Sequence, residues 1–551
     1  MGNLIQTITR KYSLSLHILR SACRINVEQK SSHAMFHVKS TLQSIVLWLF
    51  IVILLVTLCT AKYSQAKNVL VIVGDDAGFE TQVYNNTVCK TPNINDLAKR
   101  SVVFKNAYTV VSSCSPSRSA ILSGLPQHQN GMYGLHQGYH HFMSFDEVQS
   151  LPLILKKAGV RTGIIGKKHV GPESVYPFDF AETEENNSIL QVGRNITRIR
   201  ELVEQFLSSN KTSPFFLYVA FHDPHRCGHT HPEYGNFCEK FGNGEPGMGL
   251  IPDWKPIIYK PDDVELPYFV QDTPAARSDI AAQYTTISRL DQGIGLVLKE
   301  LQKAGFQDNT LVLYTSDNGI PFPNGRTNLY EPGMAEPMLV SSPLVTKRWG
   351  QESTAMASTL DIVPTVLDWF NISYPTYKLL KKPVKLTGKS LLPVLTEEPT
   401  TGWDTVFASH NLHEITMYYP MRVVRHKNFR LIQNLNYRMP FPIDQDFYLS
   451  PSFQDLLNRT EGHQPLHWTK TLHDYYYRSE WELYNLNTDP LEITNLVNDK
   501  SCSDILKDLK GRLLSWQQET EDPWMCAPQG VLEDAGSYKE HPQCMPLYNG
   551  V

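Results

Sequence analysis

Four short apolar runs, each breaking into a cluster of polar residues, constrain this 551-residue chain more than any other feature. Asn68-Val69-Leu70-Val71-Ile72-Val73 leads into Gly74-Asp75-Asp76, and Thr162-Gly163-Ile164-Ile165 leads into Gly166-Lys167-Lys168-His169. Phe215-Phe216-Leu217-Tyr218-Val219-Ala220 leads into Phe221-His222-Asp223-Pro224-His225, and Leu311-Val312-Leu313-Tyr314 into Thr315-Ser316-Asp317-Asn318-Gly319. A strand that is apolar along its whole length must be covered on both faces, as in a parallel sheet flanked by helices. Helical spacing lies between the runs, through Ile94, Leu97 and Ala98 after Pro92 and through Tyr284, Ile287 and Leu290 within Ile280 to Leu301. Strand alternating with helix predicts an α/β fold, in which ligands gather at the carboxyl ends of the strands. The four polar clusters are therefore expected to meet in one site.

Past about residue 395 the texture changes. Met421 to Arg425, a turn at His426-Lys427-Asn428, and Phe429 to Ile432 predict an antiparallel hairpin, and Ser503 to Gln518 predicts an amphipathic helix through Ile505, Leu506, Leu509, Leu513 and Trp516. The expected organisation is an N-terminal segment over 1–66, a catalytic domain over 67–395 and a smaller α+β domain over 396–551.

The N-terminal segment contains an apolar run from Ile45 to Cys59 followed by small residues at Ala61, Ser64 and Ala66. The run is short for a membrane span and fits a signal peptide starting at Met35 or, with an extension, at Met1; an uncleaved signal anchor is the alternative. The first 66 residues hold seven Lys or Arg and one Glu, so the remainder carries 44 basic against 54 acidic side chains. Such an acidic surface excludes nucleic acid as an expected partner and requires a local basic pocket for any anionic substrate. Sequons at Asn85, Asn186, Asn195, Asn210, Asn371 and Asn458 fit a glycosylated luminal protein. Seven cysteines lie beyond residue 66. Proximity pairs Cys227 with Cys238 and Cys526 with Cys544, leaving Cys89, Cys114 and Cys502.

Asp75-Asp76 and Asp317-Asn318 are hard oxygen donors suited to Ca²⁺ or Mg²⁺ and poorly suited to Zn²⁺. Each pair alone also fits an ordinary turn; placed together at two strand ends they predict one metal site. Cys114 stands just before Pro116, a residue that starts helices, where free backbone N–H groups and the helix dipole attract an anion. Arg118, Lys167, His169 and Arg326 offer further contacts to such an anion, and His225 offers a group that titrates in the range useful for acid catalysis.

Cys114-Ser115-Pro116-Ser117-Arg118 followed by Leu122-Ser123-Gly124 resembles the sulfatase signature C-x-P-S-R-x-x-x-L-[ST]-G. The stretches Gly124 to Gly134, Gly166 to Gly171, Phe221 to Gly228, Asp317 to Pro323 and Met439 to Asp446 extend the resemblance over about residues 68 to 548, most closely to the heparan N-sulfatase branch. Trp481-Glu482-Leu483-Tyr484 with Asp489-Pro490 and Asn495-Leu496 resembles sulfatases generally. The resemblance implies an alkaline-phosphatase-like sulfatase fold, with a large mixed sheet flanked by helices and a smaller C-terminal domain containing an antiparallel sheet. It implies conversion of Cys114 to formylglycine by a formylglycine-generating enzyme, and a Ca²⁺ held by Asp75, Asp76, residue 114, Asp317 and Asn318. Arg118 and Lys167 would steady the formylglycine and sulfate, His169 would assist the diol and the final elimination, and His225 would protonate the leaving nitrogen. Arg326 stands where many O-sulfatases have a lysine, and a guanidinium contacts sulfate as a fork but donates no proton. The implied reaction is hydrolysis of the N–S bond of terminal N-sulfoglucosamine in heparan sulfate, by a homodimer delivered through the secretory pathway to the lysosome. An O-sulfatase on another glycan, a phosphoesterase of the related superfamily and an inactive secreted glycan-binding protein are the alternatives.

Overall fold

β1 (Asn68–Gly74) is flanked on both sides by parallel partners, β5 (Phe215–Ala220) and β6 (Thr310–Ser316). The strand lies in the middle of an eight-stranded sheet of order β4-β3-β5-β1-β6-β7-β2-β8, where β2 is Val102–Tyr108, β3 Arg161–Gly166, β4 Phe180–Thr183, β7 Met338–Ser341 and β8 Gln351–Ser358. β7 runs antiparallel to β6 and β2, which makes the sheet mixed, as expected. The structure is a computed structural model that describes residues 67–228, 234–379 and 382–547, with Trp48 alone from the N-terminal segment. The expected signal peptide therefore lies outside the described residues. Ala66–Val551 packs as one unit.

The apolar runs are buried on both faces, as their unbroken apolar character requires. Val69, Val71 and Val73 enter one core with Phe216, Tyr218, Leu311 and Leu313, covered by Ile362, Val363, Val366 and Leu367 of helix α5 (Ile362–Phe370). Leu70 and Ile72 point the other way, into a core with Leu217, Val219, Val312 and Tyr314. That face is covered by α3 (Ile196–Ser209) and by Leu290, Ile294 and Val297 of α4 (Pro274–Lys303). Each fully buried Val, Leu or Ile contributes about 1.5–3 kcal/mol, so both layers hold the central strands in place.

Register brings the four polar clusters level. Gly74 pairs with Ser316, and Gly166 pairs with Ala220, so Asp75, Lys167, Phe221 and Asp317 all follow at the same edge of the sheet. Gly166 has φ +95°, and a Cβ there would stand 2.0 Å from the Ala220 carbonyl oxygen. Only glycine allows that approach, and Lys167 then donates its N–H to the same carbonyl at 2.9 Å.

The C-terminal part is a four-stranded antiparallel sheet of β9 (Thr405–His410), β10 (Met421–His426), β11 (Phe429–Asn434) and β12 (Trp481–Asn485), in that order. The expected hairpin is β10–β11, and the expected helix is α6 (Ser503–Glu519). Val424, Leu431 and Leu483 pack with Leu509, Leu513 and Trp516 of α6 and with Val110, Val111 and Ala120 beside the sheet edge. Val423, Ile432 and Tyr484 face Tyr108, Leu329 and Tyr330. Both proposed disulfides are present, Cys227–Cys238 and Cys526–Cys544, while Cys89 and Cys114 are buried thiols and Cys502 is half-buried.

Candidate active site

Cys114 is the first residue of α2 (Cys114–Ser123), with Ser113 as the N-cap in extended conformation. The Ser113 hydroxyl does not cap the helix; it shares a 2.8 Å hydrogen bond with Nδ1 of His413. The first turn of the helix thus has no side-chain cap, a setting that favours negative charge at its start. Arg118 follows one turn later on the same helix face. Its guanidinium is wholly buried and donates to Asp317 Oδ2 at 2.9 Å, Asp75 Oδ1 at 3.2 Å and the Lys167 carbonyl at 2.7 Å. Arg118 thereby ties α2 to the ends of β1, β3 and β6.

Every expected catalytic and metal residue converges on this edge. Ligand atoms of Asp75, Cys114 and Asp317 lie within 4.8 Å of one another, as do those of Asp76, Cys114 and His225. Lys167 Nζ donates to Asp75 Oδ2. Asn318 Nδ2 donates to Asp76 Oδ1 at 2.5 Å, while its Oδ1 is buried without a hydrogen-bond partner among the described residues. Asp76 and His169 hold positive φ, 59° and 58°, a conformation uncommon outside glycine.

The charge pattern is uneven. Burial opposes ionisation of Asp75, but Lys167 and Arg118 outweigh it and hold the carboxyl well below its usual range. Burial pushes Asp76 up to about 7 against Arg326, and Asp317 up to about 8 against Arg118. Three carboxylates this close cannot all ionise without more positive charge than the nearby side chains supply. The surplus, the hard oxygen donors and the orphaned Asn318 Oδ1 together fit a divalent cation such as Ca²⁺.

The thiol of Cys114 is pushed well up by burial, so this buried cysteine is a poor thiolate nucleophile as it stands. His169 is held neutral by burial and by Lys167, and its Nδ1 has no hydrogen-bond partner among the described residues. Burial and Lys167 also hold His225 neutral; its Nδ1 bonds the Arg226 carbonyl at 2.8 Å, which leaves Nε2 toward Arg326 Nη1 at 2.9 Å. Arg326 donates to Asp76 Oδ2 at 2.7 Å as well.

Residues with no assigned role in the sequence complete the site. Asp444 and Asp446 both accept from the Arg326 guanidinium, His222 bonds Glu184 at 2.8 Å, and His413 stands behind Ser113. Burial raises Asp444 to about 7, whereas Arg326 overcomes burial and holds Asp446 at about 2. Asp444 and Asp446 fall inside a stretch that resembles the N-sulfatase branch, yet their separations of 118 and 120 residues from Arg326 hid the contact. A cavity of about 310 Å³ opens above these groups, lined by Cys114, Lys167, His169, His225, Arg326 and Asp446 among others. It can take one anionic group at its cationic floor with a sugar-sized body above.

The family profile described as Sulfatase matches residues 67–372. Human (Homo sapiens) N-sulphoglucosamine sulphohydrolase is 63% identical over 498 residues, 90% of this chain and 97% of that protein. Among solved structures, a 2-O GAG sulfatase superposes with TM-score 0.57 at 18% identity over 84% of this chain and 94% of the other. A phosphonate monoester hydrolase of Agrobacterium radiobacter superposes with TM-score 0.56 at 16% identity, over 87% and 99%. The two structural likenesses share an architecture across different chemistries, so the choice between chemistries rests on sequence. The profile covers more than half of the chain and the human relative nearly all of it, and on that basis this chain belongs to the sulfatase family.

Proposed function

We propose that the chain is an N-sulfoglucosamine sulfohydrolase that releases sulfate from terminal N-sulfoglucosamine of heparan sulfate. The observation that carries this reading is the 63% identity to human N-sulphoglucosamine sulphohydrolase across 97% of that protein. Asp75, Asp76, Asp317 and Asn318 would hold Ca²⁺, which when bound offsets their charge and polarises a sulfate oxygen. Oxidation of Cys114 by a formylglycine-generating enzyme would place an oxygen nucleophile where the buried thiol stands.

The chain's own residues then divide the work. Lys167 and Arg326 bind sulfate oxygens, and Arg118 fixes the carboxylates beneath them. Nδ1 of neutral His169 takes a proton from the residue 114 side, and Nε2 of His225, unprotonated at rest because the ring's one N–H is on Nδ1, takes a proton from solvent and passes it to the departing nitrogen. The cavity admits the non-reducing end of a chain and excludes bulk water from its floor.

Asn85, Asn186, Asn371 and Asn458 are exposed and Asn195 and Asn210 half-buried, which supports glycosylation in the secretory pathway on the way to the lysosome. Among the described residues no helix is long and apolar enough to cross a membrane. A homodimer is part of the same reading.

Turnover of N-sulfoglucosamine-terminated and O-sulfated oligosaccharides, measured side by side, tests the bond. Exclusive O-sulfate hydrolysis would overturn the proposal. The mass of the tryptic peptide Asn106 to Arg118 from active secreted enzyme tests the modification, with the aldehyde expected and an intact thiol decisive against it.

A further inference from the structure

Four carboxylates, those of Glu184, Glu185, Glu414 and Asp446, line the cavity whose floor is cationic. Near an anionic substrate they repel unless each already has a donor or meets one on the substrate. Glu184 bonds His222 at 2.8 Å, Glu185 accepts from the His169 N–H at 2.8 Å, and Glu414 accepts from the Gln445 N–H at 3.2 Å. Asp446 differs from these three. The residue is only 7% exposed, its Oδ1 accepts from Arg326, and its Oδ2 is buried with no hydrogen-bond partner among the described residues. Native structures rarely leave a buried carboxylate oxygen without a donor, so one beside a substrate cavity points to a donor on the ligand.

Position says which donor. Oδ2 of Asp446 stands 3.8 Å from Nε2 of His225, the group placed to protonate the departing atom. An alcohol leaving a sulfate ester stays neutral. An amine leaving a sulfamate takes one more proton from solvent, breaks no further bond and becomes an ammonium with three N–H donors.

We propose that Asp446 is a specificity residue for the nitrogen leaving group, its Oδ2 accepting an N–H of the glucosamine ammonium formed at the site. This deepens the N-sulfoglucosamine reading and rests on it. The contact is a charge-assisted hydrogen bond that a sugar hydroxyl reproduces only weakly. Asp444, which already accepts from Nε of Arg326 at 2.9 Å, keeps the guanidinium in place whatever Asp446 binds.

Calorimetric titration of the mature full-length enzyme with glucosamine, glucose and inorganic sulfate tests the assignment, at about pH 5.5, below the pKa of an ordinary amine. Glucose differs from glucosamine at the 2-position alone. The wild type should bind glucosamine about tenfold tighter than glucose, and Asp446→Asn should lose that preference while its sulfate affinity moves by less than about twofold. No preference in the wild type, or one retained in Asp446→Asn, overturns the proposal. An equal loss of glucosamine and sulfate affinity also overturns it, because Asp446 would then act only through Arg326. Asp446→Ser replaces the Asn variant if that one does not fold. Absence of N-sulfoglucosamine hydrolysis, scored in the separate turnover assay, would instead strike the functional reading.

Discussion

Two buried aspartate sites in this chain hold the same residue types in opposite electrostatic states. Around Asp522, Arg422 donates through Nε at 2.6 Å and Nη2 at 2.8 Å, Gln517 donates at 2.9 Å and the Trp524 N–H at 3.0 Å. Burial opposes that charge, but Arg422 and His128 outweigh it and hold the carboxyl well below its usual range. Around Cys114, three equally buried carboxylates share their cations unevenly, and Asp76 and Asp317 are driven up to about 7 and about 8. A closed pair with all its hydrogen bonds made serves the fold. A cluster left short of positive charge beside a cavity is arranged for a ligand. What separates the two sites is the charge balance, since burial is alike in both.

The sharpest way to break this contrast is to remove one group from each side. Cys114→Ala should lower turnover by more than about a thousandfold, the scale of losing a nucleophile, while the thermal midpoint stays within about a degree or two. A comparable loss of stability would mean that Cys114 belongs to the structural class. Arg422→Ala should do the reverse, costing about 3–5 kcal/mol in denaturant unfolding because it leaves the Asp522 carboxylate buried and unpaired.

Metal removal sharpens the comparison further. Exhaustive chelation should abolish turnover and lower the melting temperature, and Ca²⁺ at about a thousandfold its Kd should restore about 4 kcal/mol. The restoring effect should persist in the Arg422→Ala background and shrink in Asp76→Asn. Equal responses in the two variants would count against a cation at the strand ends.

The smallest expected effect is in the acid limb. Because its folded pKa is depressed, Asp522 contributes stability that is fully present above the unfolded carboxylate pKa of about 3.9 and is lost as pH falls below it toward the folded value. Unfolding free energies from about pH 5 down to pH 3 should therefore fall less steeply in Asp522→Asn than in the wild type, by up to about 1.4 kcal/mol per pH unit. Parallel slopes would show that the pair is not depressed.

Much of the catalytic edge was legible because local patterns carry it. Val69 to Val73 is apolar at every position, so it could only be a doubly covered strand, and a parallel strand must present its next polar residues, Asp75 and Asp76, at the carboxyl edge. Arg118 was legible because it closes the Cys114-Ser115-Pro116-Ser117-Arg118 signature. Asp444 and Asp446 were not, because no periodicity links an irregular stretch of the C-terminal region to Arg326. Nor does composition say which buried acids will find an arginine and which will fall short. Asp522 and Asp317 look alike as letters, and only their neighbours in space set their charge apart.

The sequence by itself determined the alternation of strand and helix, the placement of the four polar clusters at strand ends, the two short disulfide loops and the position of Cys114 at a helix start. Those come from residue-level rules of burial, backbone geometry and loop closure that act over a few positions. The tertiary structure alone decided that Asp446 reaches the cavity with an unpartnered oxygen beside His225, and that positive charge runs short at Asp76 and Asp317. Both are sums over groups brought together from distant parts of the chain, and Coulomb energy depends on distance in space, with separation along the chain having no part in it.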